Sequence, residues 1–305
     1  MIQEGRVTVT WPEIEGVGPV EFAYLEDGPA DGPLALCLHG FPDHAPTWTA
    51  LLGDLAAAGF HAVAPWMRGY APTAVPDDGL YQPAALSLDA IALADAFSPA
   101  DRPAMLIGHD WGALAAYGAV VHRPDRFARL VAMSVPHRAA LMSRMVTTPA
   151  QLKRSWYVFF FQMPLAEHAV RFNDFAFIDR LWRDWSPAYE PSIEFLRGVK
   201  DTLASPGCLE AAIDYYRHMV NPLQQDQRLA MVEAAGVGWV PVPTLYLHGA
   251  DDGCMGADIV DPYELKPLFP GGLDAEIIPG VGHFLHLEAP GEINSRIVEF
   301  LTADS

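Results

Sequence analysis

The stretch Met105-Leu106-Ile107-Gly108-His109-Asp110-Trp111-Gly112-Ala113 restricts this chain more than any other. A short apolar run ends in Gly108, an acid follows two residues later, and a second glycine stands two residues beyond that. The pattern reads as a buried strand, a very tight turn and a helix. A turn that sharp brings backbone against backbone, so residues larger than glycine would clash on either side of it. Its central side chain is lifted out at the carboxyl end of a sheet. That residue also stands at a helix N-terminus, where unpaired N–H groups and the helix dipole favour a carboxylate. Elbows of this shape commonly present a serine. Here the apex is Asp110, and the change of atom changes the chemistry.

The surrounding pattern supplies the sheet. Arg6 to Trp11 and Val20 to Leu25 alternate as strands, and a turn cluster follows at Gly28-Pro29-Ala30-Asp31-Gly32-Pro33. Leu34 to Leu38 is continuously apolar, as a strand buried on both faces must be. Further strands are expected at His61 to Trp66, Met105 to His109, Leu130 to Val135, Thr244 to Gly249 and Ala275 to Gly280. Helices are expected at Thr47 to Ala58, Ser87 to Phe97, Trp111 to Val121 and Pro290 to Leu301. This alternation implies a doubly wound α/β sheet, in which ligands sit outside the carboxyl ends of the strands. From about His137 to Val232 the strand signal stops, and Trp156, Tyr157, Trp182, Trp185, Tyr189, Tyr215 and Tyr216 crowd in at helical spacing. The expected organisation is a core of residues 1–136 and 236–305 interrupted by a helical insert, 137–235.

Composition removes several function classes. A formal charge of −19 argues against nucleic acid and anionic membrane surfaces, which need a basic face. No apolar run reaches about eighteen residues, so no membrane-spanning helix is expected. The N-terminus lacks the basic and apolar regions of a signal peptide. The three cysteines, Cys37, Cys208 and Cys254, lack metal-pair spacing, and their odd number fits a reducing compartment, hence a cytoplasmic protein. Cys37, inside an apolar run, reads as a buried small hydrophobe.

Three strand-end loops accompany the elbow: His39-Gly40-Phe41-Pro42-Asp43, Gly249-Ala250-Asp251-Asp252-Gly253 and Gly280-Val281-Gly282-His283-Phe284. An aspartate after a strand is usually a turn former, and a lone loop histidine is usually solvated or capping. Together they give a nucleophile, acid, histidine order along the chain, with Asp251 or Asp252 as the acid.

On these residues the chain resembles the α/β-hydrolase superfamily, and within it the soluble epoxide hydrolases, relatives of the haloalkane dehalogenases. Gly108-His109-Asp110-Trp111-Gly112 matches the nucleophile motif and His39-Gly40-Phe41-Pro42 the oxyanion loop. The resemblance runs from about Leu34 to the last helix. It implies an α/β-hydrolase fold, a mostly parallel eight-stranded sheet flanked by helices with an inserted helical cap. Family spacing from the strand-end glycine selects Asp252 over Asp251. Two cap tyrosines are also implied: Tyr157, four residues before Phe161-Gln162, and Tyr216, in Tyr215-Tyr216-Arg217. The chain departs from the family pattern at Gln162-Met163-Pro164-Leu165, which lacks a usual glycine, and at Trp66 and Ala71 around Arg68.

The implied chemistry uses no cofactor and no metal. Asp110 attacks an epoxide carbon, Tyr157 and Tyr216 hold and protonate the oxygen, and His283, oriented by Asp252, activates water against the resulting ester. The backbone N–H groups of Phe41 and Trp111 form the oxyanion hole. His39, Pro42, Trp111, Phe159, Phe160, Phe175, Trp182 and Phe284 are the expected substrate contacts, for a small apolar or aromatic epoxide bound by a monomer or homodimer. Asp43 and His109 are expected either to position the water or to hold their loops. The nearest rival is a haloalkane or haloacid dehalogenase, with Trp111 and Trp156, Trp182 or Trp185 as halide donors. Fluoroacetate dehalogenases typically carry arginine where this chain has Trp111. The third reading is a non-catalytic small-ligand-binding protein.

Overall fold

The computed structural model describes residues 1–303. Its strands are Gln3–Val9 (β1), Val20–Asp27 (β2), Leu34–Leu38 (β3), His61–Pro65 (β4), Ala104–His109 (β5), Phe127–Met133 (β6), Thr244–Gly249 (β7) and Leu273–Ile278 (β8). They form one eight-stranded sheet in the order β1-β2-β4-β3-β5-β6-β7-β8. β1 and β2 pair antiparallel, β2 joins β4 antiparallel, and the other neighbours are parallel. Every residue of β3, β4 and β7 is buried, and β3 is accordingly apolar throughout. The edge strand β1 instead alternates and stays largely exposed. β8, at the other edge, carries Asp274 and Glu276, charges that discourage pairing with another sheet.

The helices packed on the sheet include Thr49–Ala57 (α1), Pro83–Phe97 (α2) and Trp111–His122 (α3). α3 is buried from Trp111 to Val120. Its alanines and glycines permit this, since a Cβ on Gly118 would fall 2.3 Å from the Ser87 hydroxyl of α2. α2 begins four residues earlier than the pattern suggested, at Pro83, because proline suits a first helical turn. β6 stops at Met133 rather than Val135, because Ser134 takes φ 65° and turns its hydroxyl onto the His283 carbonyl.

Between β6 and β7 no strand occurs among the described residues. The helices there are Arg138–Thr147 (α4), Pro149–Arg154 (α5), Trp156–Phe160 (α6), Ala166–Trp185 (α7), Ile193–Ala204 (α8), Cys208–Val220 (α9) and Ala230–Ala235 (α10). α7 is broken where Asn173, Asp174 and Phe175 take positive φ of 52°, 54° and 55°. Among the described residues no helix is long and apolar enough to cross a membrane.

The elbow is as tight as its glycines require. A Cβ on Gly108 would lie 2.3 Å from the Gly112 carbonyl oxygen, and one on Gly112 would lie 2.0 Å from the Leu38 carbonyl oxygen of β3. Backbone cannot yield as a side chain does, so Gly112→Ala is expected to cost about 3 kcal/mol. Its urea midpoint should fall well below the parent's, whereas Gly291→Ala, a position with open space around it, should leave the midpoint unchanged or raised.

Candidate active site

Asp110 sits at the join of β5 and α3 with φ 53° and ψ −117°. Few non-glycine residues hold such a conformation unless their surroundings impose it. Its two carboxylate oxygens have different neighbours. Oδ1 accepts the Phe41 N–H at 2.8 Å, and the Trp111 N–H also reaches the carboxylate. Gly40 makes this approach possible, since a Cβ there would lie 2.2 Å from Oδ1. Oδ2 instead faces His283, 3.7 Å from its Nε2. Burial pushes the Asp110 carboxyl up to about 6, against the opposing pull of His283 and the two N–H groups.

His283 is fixed from several sides. Its Nδ1–H donates to Asp252 Oδ2 at 2.9 Å, because an ionised carboxylate can only accept. Nε2 is therefore the free lone pair, buried and without a partner. The His283 carbonyl accepts from Ser134 Oγ at 2.6 Å and from His109 Nε2 at 2.9 Å, and its N–H donates to the Trp185 carbonyl at 3.0 Å. Asp252 Oδ1 accepts from the Cys254 and Met255 N–H groups at 2.7 and 2.8 Å. Asp251 is exposed at the loop surface, so the buried neighbour is the one beside His283. Burial lowers the imidazole's proton affinity, but the Asp252 and Asp110 carboxylates more than compensate and lift it above the ordinary histidine value.

Tyr157 of α6 and Tyr216 of α9 meet edge to face over this group, with ring centroids 5.6 Å apart. Both are buried, and both hydroxyls lie in the field of Asp110. Burial, reinforced by these negative neighbours, pushes both phenols well above their usual value and keeps them protonated. The Tyr157 hydroxyl lies 3.3 Å from Cys254 Sγ. The Tyr216 hydroxyl has no hydrogen-bond partner, and its ring stands edge to face with the Trp111 indole, centroids 4.9 Å apart. Tyr215, one residue earlier, donates to the Arg68 carbonyl at 2.7 Å and belongs to the core instead.

Several expected substrate contacts lie elsewhere. Phe159 is 42% exposed on the outer side of α6. Phe160 stacks on Phe177 at 5.8 Å and touches Trp156. Phe161 instead packs at the site, fully buried, with its ring 5.6 Å from Phe41 and 5.1 Å from Tyr216. Helical spacing carries that signal: residues four apart share a face, and Phe161 stands four after Tyr157, whereas Phe159 stands two after it. His39 is committed to its loop, with Nδ1–H donating to the Gly40 carbonyl at 2.9 Å and Nε2 accepting the Met67 N–H at 3.0 Å. Trp182 is likewise engaged: its indole N–H donates to the Pro42 carbonyl at 2.9 Å, and its ring stacks on Phe284 at 3.5 Å. Phe175 is buried at the break in α7. Trp185, which the contact expectation omitted, packs 5.0 Å from both His283 and Tyr157.

Among the described residues, two groups bring potential metal-ligand atoms within 4.8 Å of one another. Asp110, Cys254 and His283 are the site just described. Asp43, His109 and His286 lie behind it, where Asp43 Oδ2 and the Nδ1 atoms of both histidines have no protein partner. His109 donates through Nε2 to a carbonyl, so its Nδ1 is an acceptor. Asp43 Oδ2 accepts too. The pair suits a small donor such as water.

Comparison with known proteins agrees with this geometry. The model of the alpha/beta hydrolase family matches residues 35–296. Epoxide hydrolase 3 of Mus musculus is 30% identical over 97% of this chain and 77% of its own length. An epoxide hydrolase of Caballeronia sordidicola is 29% identical over 88% of each chain. The crystal structure of epoxide hydrolase A from Mycobacterium thermoresistibile superposes with a TM-score of 0.78 at 25% identity, covering 98% of both chains. The chain is therefore a hydrolase of the alpha/beta hydrolase family, and within that family it belongs with the epoxide hydrolases.

Proposed function

We propose that this chain converts an epoxide to a vicinal diol through a covalent ester on Asp110. The observation that carries the reading is the divided carboxylate: Oδ1 is held by the Phe41 N–H, and Oδ2 is left beside His283 in a site roofed by the two buried tyrosines. Oδ2 attacks a ring carbon, the C–O bond breaks, and the epoxide oxygen takes a tyrosine proton. Asp110 is then an ester, and one of the negative charges lifting His283 has gone. The imidazole's proton affinity falls, which suits it to act as base at its free Nε2. Water gives a proton to His283 and attacks the Asp110 carbonyl carbon. The charge that develops on Oδ1 meets the Phe41 and Trp111 N–H groups, each donor of this kind contributing about 3 kcal/mol. The departing alcohol takes the proton from His283, and the regenerated Asp110 carboxyl returns its proton to the tyrosinate.

The helical segment 137–235 serves as a cap over the core of residues 1–136 and 236–305, since Tyr157 and Tyr216 come from it and Asp110, Asp252 and His283 do not. Phe41, Trp111, Phe161 and Trp185 surround the reacting groups and suit a small apolar or aromatic substrate. A dehalogenase needs indole N–H groups free for a halide. Trp182 is spent on Pro42 and Trp156 is 45% exposed, which leaves that reading Trp111 and Trp185, packed against the rings of Tyr216 and His283.

Incubation with styrene oxide and, separately, bromobutane separates the readings. Diol without bromide release is expected, and the double variant Tyr157→Phe/Tyr216→Phe is expected to lower diol formation at least about 1,000-fold. Bromide without diol would make this a dehalogenase. Tight binding of an epoxide with no turnover would make it a binding protein.

A further inference from the structure

Cys254 is a buried thiol in the reacting cluster that none of the steps above uses. Its Sγ lies 3.3 Å from the Tyr157 hydroxyl, and within 4.8 Å of ligand atoms of both Asp110 and His283. Its backbone is pinned on both sides, the N–H donating to Asp252 Oδ1 at 2.7 Å and the carbonyl accepting from Gln151 Nε2 at 2.8 Å. The loop that supplies Asp252 therefore also fixes the direction of the thiol.

The two tyrosine hydroxyls differ because of this neighbour. The Tyr216 hydroxyl has no hydrogen-bond partner, and its ring meets the Trp111 indole edge to face with centroids 4.9 Å apart. An unpartnered hydroxyl keeps its proton free for substrate. Tyr157 faces sulfur, which can accept its proton and turn it away from the substrate. We propose that Cys254 is a positioning residue of the ring-opening step, engaging Tyr157 so that Tyr216 is the proton donor and Tyr157 contributes a hydrogen bond alone. This rests on the epoxide hydrolase reading and deepens it. In the step, the bond from Asp110 Oδ2 to carbon forms, the carbon–oxygen bond of the ring breaks, and the ring oxygen takes the Tyr216 proton. The negative charge passes from Asp110 to the Tyr216 oxygen, beside the Trp111 indole.

The thiol can sit beside an electrophile without being consumed. Burial, with the Asp252 and Asp110 carboxylates nearby, pushes it well above its usual value, so it stays protonated and weakly nucleophilic.

The test is the rate of ester formation from styrene oxide in a single turnover, for Tyr157→Phe and Tyr216→Phe in three backgrounds. In the parent, Tyr216→Phe is expected to slow ring opening about 100-fold or more and Tyr157→Phe about 10-fold. In Cys254→Val, which keeps a comparable volume without the polar contact, the two losses should converge to within about 3-fold. Cys254→Ser should restore the difference. A role in packing alone would leave the ratio of the two losses unchanged across backgrounds, and that result, or equal losses in the parent, would overturn the proposal. Absence of any ester in the parent would instead refute the Asp110 reading on which it rests.

Discussion

Replacing Asp110 by alanine is expected to lower diol formation by about five orders of magnitude. What remains, two tyrosines and a polarised water, can assist an uncatalysed opening but offers no nucleophile aligned with the ring carbon. The loss should appear in turnover and not only in binding, because the aromatic surround of Phe41, Trp111 and Phe161 is untouched. Folding should survive. The ionised carboxylate is buried at the end of a helix, and its proton affinity is raised from the usual 3.8 to about 6. For an acid raised in this way, the favourable contribution is present below the ordinary value and is lost as pH rises through about 6. Above that pH the buried charge costs about 3 kcal/mol, so the variant, measured by denaturation, is expected to be no less stable than the parent there. The same shift governs the parent's activity. Ring opening needs the ionised form, so its rate should fall about tenfold per pH unit below about 6.

The second large effect separates the two half-reactions. His283→Gln removes the base but leaves Asp110 Oδ2 free to attack. Ring opening should proceed at close to the parental rate, and hydrolysis of the ester should slow by about three to four orders of magnitude. Intact-mass analysis after one equivalent of styrene oxide should then find the protein heavier by one substrate molecule, with the adduct mapped to Asp110. The backbone ties of His283 to Ser134, His109 and Trp185 do not involve its side chain, so glutamine should not disturb the loop. Unmodified protein in this experiment would mean that His283 acts before the ester forms, or that no ester forms.

Much of this arrangement is legible in the sequence because backbone geometry demands particular residues. Gly108 and Gly112 announce the elbow, since nothing larger fits against Gly112 and Leu38. The unbroken apolar run of β3 announces a strand buried on both faces. Other features escape because they depend on which side of a helix or loop meets the core. Phe159, Phe160 and Phe161 are chemically alike, and only the phase of α6, fixed once Tyr157 points inward, distinguishes the residue beside Tyr216 from the one in solvent. Trp182 reads as a free indole until the Pro42 carbonyl is found beneath it. His39 belongs to the loop beside Asp110, yet both its nitrogens are used within that region. Cys254 is read from the sequence only as a cysteine without metal-pair spacing. Its place beside Tyr157 follows from the turn that Asp252 makes with the Cys254 and Met255 N–H groups, a tertiary arrangement that no local pattern encodes.

The covalent ester is tested most directly by the fate of the water oxygen. A single turnover of the parent with limiting epoxide, in water enriched in heavy oxygen, should place the label in the Asp110 carboxylate and leave the first diol unlabelled. This follows because water attacks the carbonyl carbon and the diol oxygen comes from Oδ2. Label in the diol with none in the Asp110 peptide would show that water attacks the epoxide directly and would contradict the two-step scheme.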